Sequence, residues 1–115
     1  MYQHSYAEIL ADAATEARAT ERQTLDKAIA KLRLAANTEP GSPQEHDAIE
    51  FLTQLWAAFI KDLANPGNDL PTETRASLMR TGLGILSEAQ RIQLGLSRDF
   101  EALIEICGIV RDGLI

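Results

Sequence analysis

The stretch Glu45–Leu63, EHDAIEFLTQLWAAFIKDL, constrains the fold more than any other part of the chain. It holds the single tryptophan, Trp56, and two of the three phenylalanines, Phe51 and Phe59. Set at helical pitch, Ile49, Leu52, Trp56, Phe59, Ile60 and Leu63 fall on one arc, and His46, Glu50, Thr53, Gln54 and Lys61 fall on another. A chain this poor in aromatic residues must build its core around that arc, so the stretch is the expected central packing helix. Its ends are marked. Asn37–Ser42, NTEPGS, carries the breaker pair Pro40-Gly41. Ser42 suits the N-cap and Pro43 the first helical position, and Glu45 completes a capping box. Asn65–Asp69, NPGND, stops the helix near Ala64.

Upstream, Ser5 and Glu8 have capping-box spacing and predict a helix start at Tyr6. Tyr2, Tyr6, Ile9, Leu10, Ala13 and Ala17 share one face, which Leu25, Ala28, Ile29, Leu32 and Ala35 continue. Between them Arg18–Thr24, RATERQT, has no large apolar residue, and Thr20 with Gln23 could cap a new helix. The lack of Gly or Pro and the good helix formers favour one unbroken helix from Tyr6 to about Ala36. At about 30 residues it would span roughly 45 Å, against about 30 Å for the central helix. Part of the first helix should therefore overhang.

Downstream, Pro71 can open a third helix with Glu73 in its first turn. Leu78, Met79, Gly82, Ile85, Leu86, Ala89 and Ile92 form its inner face. Gly95 reads as a C-cap, and Ser97 as the N-cap of a fourth helix from about Arg98 to Arg111. The apolar arc of that last helix is wider than one neighbour needs. No stretch alternates as a half-buried strand does. The expectation is an all-α fold, one domain over residues 1–115: a small antiparallel bundle of about four helices with a long first helix.

At 115 residues the chain can build one modest core. It has no apolar run of roughly 20 residues to span a bilayer and no secretory pattern at its start, so a cytoplasmic protein without membrane contact is expected. One cysteine, Cys107, cannot form an internal disulfide. The formal charge of −6 opposes attraction to phosphate backbones. The basic residues are scattered, with Lys27, Lys31 and Arg33 the closest grouping, so direct nucleic-acid binding is not expected.

No constellation points to catalysis. His4 and His46 have no Cys or carboxylate at ligand spacing and read as solvated. Glu101 and Glu105 lie one turn apart on a polar face. Cys107 sits mid-helix among Ile104, Ile106 and Val110 and reads as a small hydrophobe. Gly82–Gly84 lacks the residues of a phosphate loop. No catalytic, cofactor-binding or metal-binding residue is singled out, and an enzyme is not expected. What remains is surface for contact: Tyr2, Tyr6, Ile9 and Leu10 on the first helix, Phe51 and Leu55 beside the central arc, and Ile106 and Ile109 on the last. Gly82 faces inward, where it permits close helix approach, and Gly84 faces outward.

The order of Tyr2, Ser5-Tyr6, Leu55-Trp56, Asp62-Leu63, Asn68, Leu70-Pro71, Arg75, Gly82, Phe100 and Arg111-Asp112-Gly113-Leu114 resembles the FlaF family of alphaproteobacterial flagellar biosynthesis regulators. The resemblance covers essentially the whole chain; Cys107 departs from the Ser or Thr expected there. It implies a helical cytoplasmic protein that binds flagellin through flagellin's terminal amphipathic helices, as an export chaperone and regulator coupling flagellin synthesis to secretion. The alternative it leaves open is a post-transcriptional regulator acting on flagellin message directly or through a companion regulator, FlbT. A homo-oligomer is compatible with either.

Overall fold

The computed structural model describes the backbone of residues 6–113 and the side chains of residues 17–113. Four helices follow one another: α1 (Tyr6–Ala36), α2 (Pro43–Ala64), α3 (Thr72–Gln93) and α4 (Phe100–Gly113). The described residues contain no strand.

α1 runs unbroken through Arg18–Thr24. Within that stretch the Thr24 hydroxyl donates to the Thr20 carbonyl one turn back, at 2.8 Å, a bond made inside a continuing helix. α2 begins as the capping pattern predicts: Ser42 Oγ accepts the Glu45 N–H at 3.0 Å. The reciprocal bond is shifted by one residue. Glu45 Oε2 accepts the Gly41 N–H at 2.8 Å, because the Ser42 N–H is already given to the Glu39 carbonyl at 3.1 Å. At the other end of α2, Arg75 of α3 donates Nε and Nη2 to the Leu63 carbonyl at 3.1 and 2.9 Å. That carbonyl is one of the acceptors a helix end leaves open.

α3 closes in a Schellman motif. Gly95 takes φ +76°, Leu96 N–H donates to Arg91 O at 2.8 Å, and Gly95 N–H to Ile92 O at 3.0 Å. α4 starts later than the Ser97 pattern predicts. Asp99 is the cap, its Oδ1 accepting the Ala102 N–H at 3.1 Å. The Ser97 hydroxyl instead donates to Glu88 of α3 and accepts the Asp99 N–H at 3.1 Å. Ser97 thus fixes the loop, and the carboxylate two residues on caps the helix.

α1 packs closely on both α2 and α4, and α2 packs on α3. One continuous buried cluster draws on all four helices, with Leu25, Leu32, Leu52, Trp56, Phe100 and Cys107 its largest fully buried side chains. Trp56 meets Phe59 edge to face at 5.2 Å. α3 presses on Trp56 and Ile60 from outside: a Cβ on Gly82 would lie 2.9 Å from Trp56 Cε3 and 3.0 Å from Ile60 Cδ1. The inward-facing glycine is what allows α2 and α3 to come so close.

Candidate partner-binding surface

α3 and α4 do not pack closely along their lengths, and a groove lies between them. Its lining includes Thr81, Gly84 and Ile85 of α3 and Ala102, Leu103 and Ile106 of α4. Ile85 and Leu103 are buried and Ile106 is half-buried. Gly84, Ala102 and Thr81 are small; a Cβ on Gly84 would meet nothing within 4 Å. Ile109, at the outer edge of α4, is 62% exposed. Arg80, Glu88 and Asp99 also line the groove.

About one turn beyond Thr81 on α3 and beyond Ile106 on α4 stand Leu78 and Val110. Both line a small cleft of about 70 Å³ at the end of the bundle where α2 and α4 stop. Trp56, Phe59, Leu63 and Leu70 join them in its apolar wall, and Glu21 and Asp62 supply carboxylates. Glu21 comes from α1, four residues before the buried Leu25, so helical pitch turns it inward. Burial pushes the Glu21 carboxyl up from its ordinary range; Asp62 pushes it further, and Arg18 offsets part of the shift. Asp62 is held by Asn68, whose Nδ2 donates to Asp62 Oδ2 at 3.2 Å.

The residues singled out from the sequence are placed unevenly. Ile106 lines the groove, and Ile109, three residues on along α4, is exposed. Leu55 is 9% exposed and belongs to the core. Phe51 is half-buried against that core, with the ammonium groups of Lys27 and Lys31 at 5.7 and 5.4 Å from its ring centre. Both lysines are on α1, so that helix already covers Phe51. Tyr2 lies outside the described residues. Tyr6, Ile9 and Leu10 are within α1, and their side chains lie outside the described residues.

Glu21, Asp62 and the groove-lining Gly84 and Ala102 were not picked out as a site from the sequence. A signal for Glu21 exists: it continues the inward series Leu25, Ala28, Leu32 one turn upstream, a carboxylate at a core-facing position. Asp62 gives no such signal, since it reads as part of a polar face.

His46 is exposed, with Nε2 3.4 Å from Glu50. Burial pushes the Cys107 thiol up, and the neighbouring Trp56 indole offsets part of this. Among the described residues no group of three or more His, Cys, Asp or Glu is arranged to hold a metal ion. No described helix is long and apolar enough to cross a membrane.

These features define a small all-α protein with a groove between α3 and α4 and, about one helical turn further along both helices, an acid-rimmed cleft. The profile of the family described as Flagellar protein FlaF matches residues 2–114, and the chain belongs to that family. Searches of curated proteins and of solved structures gave no match.

Proposed function

We propose that this chain is a cytoplasmic, non-enzymatic flagellin-binding protein, an export chaperone and regulator that couples flagellin synthesis to secretion. The observation that carries the reading is the α3–α4 groove in a member of a flagellar family. A groove with an apolar floor and small-residue walls suits the apolar face of an amphipathic helix. Flagellin's terminal helices, unpaired before assembly, are such an occupant, and covering them would prevent premature polymerisation. The start of α1, with Tyr6, Ile9 and Leu10, is our candidate second stretch for the same partner. A charge of −6 suits a protein partner better than RNA. Any control of flagellin message then runs through a companion such as FlbT.

The test is titration of purified flagellin with the wild type, with Ile109→Glu and with Tyr6→Ala. Ile109 is exposed, so the glutamate should leave folding intact while weakening binding about tenfold or more. Flagellin lacking its terminal helices should not bind. If Ile109→Glu and Tyr6→Ala both bind intact flagellin as well as wild type, the placement is wrong. A gel shift with flagellin leader RNA should show no binding by this chain alone; tight, salt-sensitive binding would overturn the indirect route.

A further inference from the structure

We infer that the cleft at the end of the α3–α4 groove is an anchor pocket for one lysine or arginine side chain of the bound partner helix. The inference rests on the flagellin reading of the groove and adds what the partner must present there.

The cleft joins two chemistries that only a long basic side chain combines. Trp56, Phe59, Leu63, Leu78 and Val110 wall it with apolar surface, which suits an aliphatic stem. Glu21 and Asp62 line the same space, from α1 and α2. These carboxylates oppose each other: Asp62 raises the Glu21 carboxyl, and Arg18, one turn away on α1, only partly offsets this. Asp62 has a neutral partner in Asn68, and among the described residues neither Glu21 nor Asp62 forms an ion pair. A cation from outside would relieve burial and repulsion together, because an opposite charge favours the charged form of both acids.

The position adds to the match. α2 and α4 both end here, at Ala64 and Gly113, and α3 begins here, at Thr72, so its N-terminal partial positive charge offsets one of the two C-terminal negative ones. Arg75 answers the Leu63 carbonyl. Arg111 pairs with Asp26 and Asp112 at 2.9 and 3.0 Å. The charge left to answer at the cleft is that of its two carboxylates, Glu21 and Asp62. A helix lying in the groove with its apolar face on Ile85, Leu103 and Ile106 would bring a residue about one turn further on to this mouth.

Trp56 is the chain's only tryptophan and lines the cleft, so its fluorescence reports occupancy. Wild type, the double variant Glu21→Gln/Asp62→Asn, and the control Glu101→Gln/Glu105→Gln are titrated with intact flagellin at several salt concentrations. The control removes the same number of charges from exposed positions of α4. The cleft variant should bind about tenfold more weakly and with a shallower salt dependence, and the control should stay within about twofold of wild type. Circular dichroism checks that each variant is folded. Equal binding and equal salt dependence for the cleft variant and the control overturn the anchor pocket while leaving the groove reading intact. If wild type does not bind flagellin at all, the groove reading fails and the anchor fails with it.

Discussion

Glu45 and Arg98, 53 positions apart in the chain, meet at 2.9 Å and tie the α1–α2 turn to the α3–α4 loop. Glu45 is 8% exposed and is the one buried charged side chain among the described residues. Its other oxygen caps the Gly41 N–H. The same guanidinium donates Nη2 to the Thr38 carbonyl at 2.9 Å and lies 5.2 Å from the Phe100 ring centre. One glutamate therefore serves two levels of structure, starting a helix and closing an end of the bundle.

Arg98→Ala should destabilise the fold by about 1.5–3 kcal/mol, the range for hydrogen bonds to charged groups, since Glu45 keeps only the Gly41 N–H. Arg98→Lys should recover only part of this, because an ammonium cannot reproduce the forked reach to Glu45 and Thr38. Urea titration measures it; an unchanged midpoint for Arg98→Ala would show the pair to be idle.

The two helical glycines of α3 should respond in opposite directions. Gly82→Ala puts a methyl 2.9 Å from Trp56 Cε3 and should destabilise by about 1–3 kcal/mol through overpacking. Gly84→Ala meets nothing within 4 Å and should stabilise by about 1 kcal/mol through helix propensity. Thermal melts of the two variants decide this; destabilisation by Gly84→Ala would mean that α3 is not a plain helix at that point. Trp56→Ala, deleting the fully buried ring that Gly82 touches, should cost about 3–5 kcal/mol.

Cys107 should resist alkylation in the folded protein. It is fully buried, and burial raises its thiol above the usual range. Iodoacetamide labelling near pH 8 should proceed at a rate set by opening of the fold and should accelerate sharply in denaturant. The same shift makes the thiol favour folding below its unfolded pKa of about 8.5, with that contribution lost as pH rises through the higher folded value. Cys107→Ser or Cys107→Ala should flatten this part of the alkaline profile.

Glu21 should trade stability for binding. Its carboxyl is raised in the folded state by burial, then by Asp62, so its charged form is disfavoured there. Rising pH ionises the unfolded chain first, near the ordinary Glu value of about 4.3, and stability falls as pH climbs from there through the raised folded value. Glu21→Gln removes that slope and should leave the protein as stable as wild type, or more so, at neutral pH. Urea midpoints from pH 4 to 7 measure it. A midpoint clearly below wild type at pH 7 would mean that the Glu21 charge is already compensated within the chain.

The helices, and their ends apart from the start of α4, were set by the sequence alone. The unbroken α1, the Ser42 cap, the Gly95 stop and the apolar arc around Trp56 depend on residues within a turn or two of each other, where spacing and backbone preference settle the outcome. The start of α4 marks the limit of that reach: Ser97 and Asp99 are both sound caps, and in the fold Asp99 caps the helix while Ser97 ties the loop to Glu88 of α3. Which faces stayed open was decided only in three dimensions. Leu55 and Ile109 are alike in sequence terms, apolar residues beside a helical stripe. Leu55 is buried because α2 has neighbours in both α1 and α3, and Ile109 is exposed because α4 packs on α1 but not closely on α3. Glu21 and Asp62 share a cleft for the same reason, since residues on separate helices meet only when long-range packing sets those helices side by side.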